Sequence, residues 1–198
     1  MVIGITGGIG AGKSTVLALM EQEFGASVLI ADEIARQLME PGRSCYERIV
    51  EEFGEGLLFP DGSLDRAMLS EVVFADPAKL KKLNGIIHPM VKEYIRGEIS
   101  CLSLEDPLRI IVIEAALLIE DHYDEICDEI WYIYAEEPVR RERLKRKRRY
   151  SDEKISAIMS NQLSDEEFRA NCQRVIDNSR STEETLLQLK KAMEFYII

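Results

Sequence analysis

The chain has 198 residues, of which 46% are hydrophobic and 31% are charged, and its formal net charge is −11. This length suits one α/β domain with a small insert, and the composition excludes a disordered chain. The negative charge disfavours general nucleic-acid binding, because a phosphate backbone would be repelled, and no stretch approaches the ~20 apolar residues of a membrane span.

The first predicted element is a short buried strand, Val2–Thr6, which is rich in β-branched residues. It leads into "ITGGIGAGKST", which contains the phosphate-loop pattern G-x-x-x-x-G-K-[ST]. A helix is predicted from about Gly12, with Leu17, Met20 and Phe24 on one face. A strand, a glycine-rich loop and a helix in this order predict a binding site for a nucleoside triphosphate.

The loop supplies the groups that we expect to bind phosphate. Its glycines let successive backbone N–H groups curl around phosphate oxygens at the positive N-terminal end of a helix. We expect Lys13 to reach the β- and γ-phosphates and the Ser14 hydroxyl to complete the coordination shell of Mg²⁺. The predicted nucleotide-binding residues in the loop are Gly8, Gly10, Ala11, Gly12, Lys13, Ser14 and Thr15.

A second short strand, Ser27–Asp32, is predicted to end in an acid and to lead into the helix "EIARQLM", which Pro41 and Gly42 stop. Asp32 has two interpretations. It is a preferred residue for capping the N-terminus of that helix. It could also orient an acceptor hydroxyl beside a γ-phosphate and take its proton. Both can hold, because a capping carboxylate keeps one oxygen unused.

The chain from 43 to 104 is predicted to be mostly helical and to contain no strand of the core type. It is interrupted by "FGEGLLFPDGSLDR", whose Gly, Pro and Asp residues favour a loop. An inserted helical subdomain is the simplest interpretation.

Strands resume at Arg109–Glu114 and Glu129–Ala135, a last strand is predicted at Arg174–Asn178, and a closing helix is predicted to run to Tyr196. Short apolar strands that alternate with helices indicate a parallel sheet covered on both faces. Ligands of such sheets bind beyond the carboxyl ends of the strands. This rule places the glycine loop, Asp32, Glu114 and Ala135 along one rim. Glu114 is either a Mg²⁺-associated acid or a surface acid at the next turn.

The segment "RRERLKRKRR", residues 140–149, carries eight basic residues and one acid, a local charge of +7 in an acidic chain. It could be a solvated helix face or a patch for nucleic acid. We favour a third interpretation, an arginine-rich lid that closes over the triphosphate and neutralises charge in the transition state.

The motifs separate the classes of protein that use a phosphate loop. The chain has neither the D-x-x-G nor the N-K-x-D of a GTPase switch, and "IIVIEAA" lacks the Asp-Glu pair of an ATP-driven motor. A phosphate loop, an acceptor region, an acid after the second strand and a basic lid together favour a small-molecule kinase. An ATP-gated regulatory module is the alternative from a different class, and a nucleoside monophosphate kinase is the alternative within the same class.

Several further motifs make a family resemblance specific. The chain resembles the dephospho-coenzyme A kinase family nearly end to end, through "GITGGIGAGKST", "ADEIAR", "FGEGLLFPDGSLDR", "LNGIIHP", "EAALLIE", "ERLKR" and "VIDNS". The order of "ADEIAR", "DGSLDR" and "IIHP" is more selective than the phosphate loop alone. The resemblance implies transfer of the ATP γ-phosphate to the 3′-hydroxyl of the ribose of dephospho-coenzyme A.

The family's fold implies an α/β P-loop kinase with a five-stranded parallel sheet, an inserted helical substrate subdomain and a helical lid. We expect the core at 1–42 and 105–198, the insert at about 43–104 and the lid at about 138–165. Mg²⁺ is the implied cofactor, and ATP and dephospho-coenzyme A are the implied partners.

The resemblance also implies roles for individual residues. Asp32 becomes the expected base. Arg143 matches the lid arginine that faces the phosphates, and Lys13 and Arg143 are expected to be catalytic together with Asp32. Arg140 and Arg146 are expected to bind ATP, and Arg66 and His88, with Asp32, to bind substrate. The family often has Gln in place of Arg140, Arg in place of Lys147 and Ile158, and "D-x-P-L-L-x-E" in place of "EAALLIE". We therefore expect Glu114, a longer acid, to reach Mg²⁺ through a water.

The setting of the protein is predicted from its cysteines and its first residues. Cys45, Cys101, Cys127 and Cys172 are scattered without a C-x-x-C pair, which favours neither a metal site nor a disulfide framework and is typical of a reducing cytoplasm. "MVIGITGG" enters the first strand directly, so we expect no signal peptide. We expect a cytoplasmic monomer or weak homo-oligomer that binds neither nucleic acid nor a membrane.

Overall fold

The computed structural model describes residues 1–194 and 196 and contains a five-stranded parallel sheet. The strand order is β2-β3-β1-β4-β5, so that the first strand lies in the middle of the sheet. This confirms the predicted fold class. The strands are β1 Val2–Thr6, β2 Ser27–Ile30, β3 Ile111–Glu114, β4 Glu129–Tyr134 and β5 Arg174–Asp177.

Helices alternate with the strands along the chain, as the sequence predicted. They are α1 Lys13–Phe24, α2 Ala31–Leu38, α3 Ser44–Phe53, α4 Arg66–Phe74, α5 Pro77–Glu105, α6 Glu137–Arg148, α7 Asp152–Met159, α8 Asp165–Asn171 and α9 Thr182–Met193, with short 3₁₀ turns at Glu55–Leu57 and Tyr123–Glu125. The closing helix ends at Met193, before the predicted Tyr196.

The register of the sheet explains the composition of β1. Ile3 pairs with Val112 on one side and with Glu129 on the other, and both Ile3 and Ile5 are fully buried. A parallel strand buried on both faces needs a continuous apolar run, and the strand Val2–Thr6 supplies one. Ile5 pairs with Glu114, so the carboxyl ends of β1 and β3 lie side by side, close to the phosphate loop that begins at Gly7.

The chain divides into two compact units. Unit 1 consists of Met1–Leu29 and the chain from Leu102 onward, and it holds the phosphate loop and helices α6 to α9.

Unit 2 consists of Ile30–Cys101 and is mostly helical. It starts earlier than the predicted boundary at residue 43, because α2 groups with the helices that follow it. Its extended structure outside the named strands is one antiparallel bridge between Leu58 and Leu64. A separate core of six buried side chains stabilises the unit: Ile49, Leu57, Leu64, Leu69, Val73 and Leu83.

The longest helix, α5, contains Pro89. A proline donates no backbone hydrogen bond, and its ring crowds the carbonyl four residues earlier, which here belongs to Gly85. In the described part of the chain, no helix is both long and apolar enough to cross a membrane.

Candidate active site

The glycine loop joins the buried end of β1 to the N-terminus of α1. Gly12 occupies the N-cap of α1 with φ 89°, a left-handed conformation in which glycine carries no steric penalty. A tight turn precedes it, in which the Ala11 N–H donates to the Gly8 carbonyl at 3.1 Å. The first N–H groups of a helix have no partner within that helix, so this end of α1 is suited to an anion. Ser14 is exposed there, and Thr15 is half-buried.

Lys13 is the first residue of α1, and its side chain turns back over the loop. Its Nζ donates to the carbonyl oxygen of Gly7 at 2.9 Å and lies 3.5 Å from a carboxylate oxygen of Glu114. Both side chains are mostly buried, with 20% of Lys13 and 14% of Glu114 exposed. The structure therefore brings together the two residues that were predicted for the phosphates and for Mg²⁺.

Arg140, on α6, also contacts the loop. Its Nε donates to the carbonyl oxygen of Ile9 at 2.9 Å, and its Nη2 donates to Oε1 of Gln162 at 3.2 Å. The same Gln162 oxygen accepts the N–H of Ile9 at 2.9 Å. A Cβ at Gly8 would lie 2.3 Å from Nη2 of Arg140, so the guanidinium packs directly on loop backbone. Burial lowers the pKa of Arg140, because its charge is poorly solvated there.

Arg143 lies one helical turn further along α6 and contacts the second half of the loop. Its Nη1 donates to the carbonyl oxygen of Ala11 at 3.2 Å, and its Nη2 donates to that of Asn178 at 2.8 Å. Arg146, in the last turn of the same helix, is exposed. Of the three arginines predicted to bind ATP or its phosphates, Arg140 and Arg143 thus lie at the loop.

The charge of the rest of the basic segment is partly neutralised by acids of α6 and α7. Arg141 pairs with Glu137 at 2.7 Å, and Lys145 pairs with Asp152 at 2.7 Å, while Leu144 is buried. The segment is therefore not a uniform solvated face, because its helix presents one side to the core and forms ion pairs with α7.

Three residues at this site were not predicted. Gln162 and Asn178 contact the loop, and Thr185 contacts Asn178. Asn178 and Thr185 are buried polar side chains, 3% and 0% exposed. The sequence signal for Asn178 was the motif "VIDNS", which marked the family but did not indicate what its asparagine contacts. Since a buried polar group must find hydrogen-bond partners, an asparagine directly after an apolar strand was the signal that could have pointed to this contact.

The donor set at the loop fits a hard cation such as Mg²⁺. Ser14 offers a hydroxyl oxygen at the N-terminus of α1, and Glu114 offers a carboxylate. Among the described residues, no group of three or more His, Cys, Asp or Glu side chains could hold a metal ion. Mg²⁺ is commonly bound by one or two protein oxygens together with phosphates and water, so this small set suffices.

In unit 2, Asp32 lies in the first turn of α2 and is exposed. The predicted strand Ser27–Asp32 ends at Ile30, and Ile30 is the N-cap residue, without a side-chain hydrogen bond. The capping interpretation of Asp32 is therefore wrong, because a residue inside the first turn cannot cap its own helix. A carboxylate in this turn still interacts favourably with the helix dipole.

The two other predicted substrate residues also belong to unit 2. Arg66 begins α4 and donates from Nη2 to the carbonyl oxygen of Arg36 at 2.9 Å. It lines an open cavity of about 400 Å³ together with Phe59, whose side chain is 49% exposed. His88 is half-buried on α5, directly before Pro89.

Comparisons with known proteins identify the family and the fold that the chain shares. The family model for dephospho-CoA kinase matches residues 1–184. The chain is 38% identical over 191 residues to the dephospho-CoA kinase of Symbiobacterium thermophilum, covering 96% of this chain and 79% of that one. A crystal structure of a Thermus thermophilus protein, 32% identical, superposes with a TM-score of 0.82 and covers 100% of this chain and 98% of that one. A shikimate kinase from Acinetobacter baumannii, 15% identical, shares the fold with a TM-score of 0.55, covering 100% and 95%.

Proposed function

The chain belongs to the dephospho-CoA kinase family, and we propose that its phosphate loop and helical unit perform that family's reaction. The reaction transfers the γ-phosphate of ATP to the 3′-hydroxyl of the ribose of dephospho-coenzyme A and gives coenzyme A and ADP. It is the last step of coenzyme A synthesis.

One observation in unit 1 is the main support for the proposal that the loop binds ATP. The cationic side chains of Lys13, Arg140 and Arg143 all contact the backbone of a single glycine loop. The two guanidiniums donate to carbonyl and amide oxygens, which carry no full charge. Positive charge that neutral acceptors only partly satisfy attracts a polyanion such as a triphosphate.

Different residues at the loop are proposed to act on different parts of ATP and its metal ion. The N–H groups at the start of α1 bind the phosphates, and Lys13 exchanges its bond to the Gly7 carbonyl for one to the β- and γ-phosphates. Arg143 and Arg140 add positive charge where the transferred group gains negative charge. Mg²⁺ would be held by the Ser14 hydroxyl and, through a water, by Glu114, and it supplies charge neutralisation when bound.

Asp32 is the proposed base. Its exposed carboxylate accepts the proton of the 3′-hydroxyl as the ribose oxygen bonds to the γ-phosphorus and the bond from that phosphorus to the β–γ bridging oxygen breaks. The leaving group is ADP. An acid that only orients the hydroxyl would also contribute, since phosphoryl transfer depends largely on positioning.

Unit 2 is proposed to bind the acceptor. Its cavity combines the aromatic ring of Phe59 with the guanidinium of Arg66, which suits a substrate that has both apolar and anionic parts. His88 is a further proposed contact. The large helical unit offers surface for the pantetheine arm, and binding energy from that remote part would help to fix the hydroxyl.

The segment from about 138 to 165 is proposed as a lid, with Arg146 reaching the nucleotide from its exposed position. The same segment is not proposed as a nucleic-acid site, because Glu137 and Asp152 offset part of its charge. Duplex DNA at moderate salt should not be retained specifically on a filter, and tight sequence-dependent retention would contradict this assignment.

The decisive experiment measures ADP release with dephospho-coenzyme A, AMP, UMP and adenosine at matched concentrations, with and without Mg²⁺. Dephospho-coenzyme A should be far the best acceptor, in kcat as well as KM, and phosphorus NMR should place the new phosphate at the 3′ position. Faster turnover with AMP or UMP would indicate a nucleoside monophosphate kinase. ADP release that no acceptor stimulates would favour an ATP-gated regulatory module.

A further inference from the structure

We propose that Asn178 is a positioning residue that sets the orientation of the phosphate loop from behind, with Thr185 fixing its side-chain amide. This inference rests on the proposed use of the loop to hold a nucleotide. Asn178 directly follows β5 and is 3% exposed, and Thr185 lies on α9 and is fully buried. Neither residue needs to touch the nucleotide for this role.

All four polar groups of Asn178 are hydrogen-bonded, each to a different part of unit 1. Its backbone N–H donates to the Tyr134 carbonyl on β4 at 2.8 Å, and its backbone carbonyl accepts from Arg143 on α6 at 2.8 Å. Its Nδ2 donates to the carbonyl oxygen of Ala11 at 2.8 Å and lies 3.4 Å from that of Gly12. Its Oδ1 accepts from the hydroxyl of Thr185 at 2.9 Å.

The chemistry of these partners fixes which way the amide points. If the amide were rotated by half a turn, Oδ1 would face the carbonyl oxygens of Ala11 and Gly12, and acceptors would oppose acceptors. The Thr185 hydroxyl reinforces the observed orientation. The hydroxyl lies 2.9 Å from Oδ1 and 3.2 Å from the Ser181 carbonyl oxygen, so its single hydrogen has two acceptors and the shorter contact is to the buried Oδ1.

Because Asn178 fixes the carbonyls of Ala11 and Gly12, it also fixes the direction of the N–H groups that follow them in the chain. The peptide unit is planar and trans, so the carbonyl of Ala11 and the N–H of Gly12 point in opposite directions. The carbonyl of Gly12 and the N–H of Lys13 are related in the same way. By drawing the two carbonyls toward β5 and α9, Asn178 turns the two N–H donors toward the opposite side of the loop, where phosphate oxygens would bind.

The close approach at Gly12 shows how tightly this contact is built. A Cβ at Gly12 would lie 2.2 Å from Nδ2 of Asn178, so the amide occupies the space that a side chain would need. Arg143 donates to the same Ala11 oxygen and to the Asn178 carbonyl. Asn178 therefore also orients a guanidinium that is proposed to act on the transferred phosphate.

The test compares shape-conserving variants by their affinity for MgADP, with the thermal stability of the nucleotide-free protein as a second readout. Asn178→Asp replaces the donor by a carboxylate oxygen facing two carbonyls, and we expect MgADP affinity to fall about tenfold or more. Thr185→Val removes only the hydroxyl, and we expect a loss of about threefold to tenfold. Thr185→Ser keeps the hydroxyl and should restore affinity to within about twofold of the wild type.

Gln188→Met is the matched control. Gln188 lies on α9, as Thr185 does, and its amide makes two hydrogen bonds to the backbone of Asp177, the residue before Asn178. The control removes polar contacts at the same junction without touching the loop. It should lower the melting temperature and leave MgADP affinity unchanged.

The outcomes separate the two proposals. MgADP affinity in Thr185→Val equal to that of the wild type, with only stability lost as in Gln188→Met, would overturn the positioning role even if Asn178→Asp fails to fold. A wild-type protein that binds MgADP but does not phosphorylate dephospho-coenzyme A would overturn the proposed function alone. A wild-type protein that binds no nucleotide would overturn both.

Discussion

Lys13 donates a 2.9 Å hydrogen bond from Nζ to the carbonyl oxygen of Gly7, the residue that begins the phosphate loop. The ammonium group is therefore held over the loop by the backbone that the loop itself provides. Glu114, 3.5 Å away, adds an opposite charge. A triphosphate carries more negative charge than the Gly7 carbonyl or the Glu114 carboxylate, so a nucleotide can compete with both for the ammonium group.

The first prediction concerns this lysine. Lys13→Ala should weaken ATP binding and abolish turnover, since a largely buried charge on the β- and γ-phosphates is lost. Isothermal titration with MgADP and an ADP-release assay measure the two effects. The control is Lys190→Ala, which removes a surface ammonium 3.9 Å from Glu23 and should change neither quantity. Near-normal turnover in Lys13→Ala would remove the loop from the mechanism.

Asp32→Asn tests the proposed base. The variant should retain ATP binding and lose turnover by about a hundredfold or more, the scale of general-base contributions. Glu33→Gln is the matched control, because Glu33 is the neighbouring exposed acid in the same helical turn and its loss removes the same charge. If both variants lose turnover equally, the first turn of α2 acts only through its net charge.

Arg143→Ala should reduce both stability and nucleotide affinity, because its guanidinium bonds the Ala11 and Asn178 carbonyls before any nucleotide is bound. Hydrogen bonds from charged groups contribute about 1.5–3 kcal/mol, so urea unfolding should show a loss on that scale. Arg146→Ala removes an equal charge from an exposed position on the same helix and should leave stability within about 0.5 kcal/mol. A fall in kcat alone for Arg143→Ala would instead indicate a guanidinium that acts only in the transition state.

Two glycines of similar backbone conformation allow the effect of backbone strain to be distinguished from the effect of a steric contact with Asn178. Gly12 has φ 89°, and a Cβ at this position would lie 2.2 Å from Nδ2 of Asn178, whereas Gly25 has φ 62° and open space around it. Gly25→Ala should cost about 1–2 kcal/mol of stability, the penalty of the left-handed conformation, and leave MgADP affinity intact. Gly12→Ala should lose MgADP binding as well, because the Asn178 amide must move. Equal MgADP affinities in the two variants would contradict the close contact.

The sequence was most informative where local pattern decides structure. Apolar, β-branched runs predicted the strands, and the glycine motif predicted the loop and the helix after it. The end of β2 was missed by two residues, because "SVLIAD" is apolar up to Ala31 and the apolar run was followed to its end, although alanine favours a helix over a strand. The same error produced the wrong capping role for Asp32.

Contacts between distant parts of the chain could not be predicted in the same way. Asn178 and Ala11 are 167 positions apart, and no spacing in the sequence relates them. Basic residues in α6 predicted that arginines would gather near the loop, but not that Arg140 and Arg143 would donate to its carbonyl oxygens. The direction of a long side chain depends on packing partners that only the folded chain brings together.

The central place of β1 in the sheet also governs when the protein can assemble during its synthesis. The first strand pairs with Ile111–Glu114 and with Glu129–Tyr134, so it emerges from the ribosome long before either neighbour exists. The helical unit Ile30–Cys101 has its own core and can become compact meanwhile. The phosphate loop gains its support from Asn178 only after synthesis has passed that residue, 167 positions beyond Ala11. A nascent chain therefore completes its proposed nucleotide site only after the helical unit has been made, although the residues of the phosphate loop precede that unit in the chain.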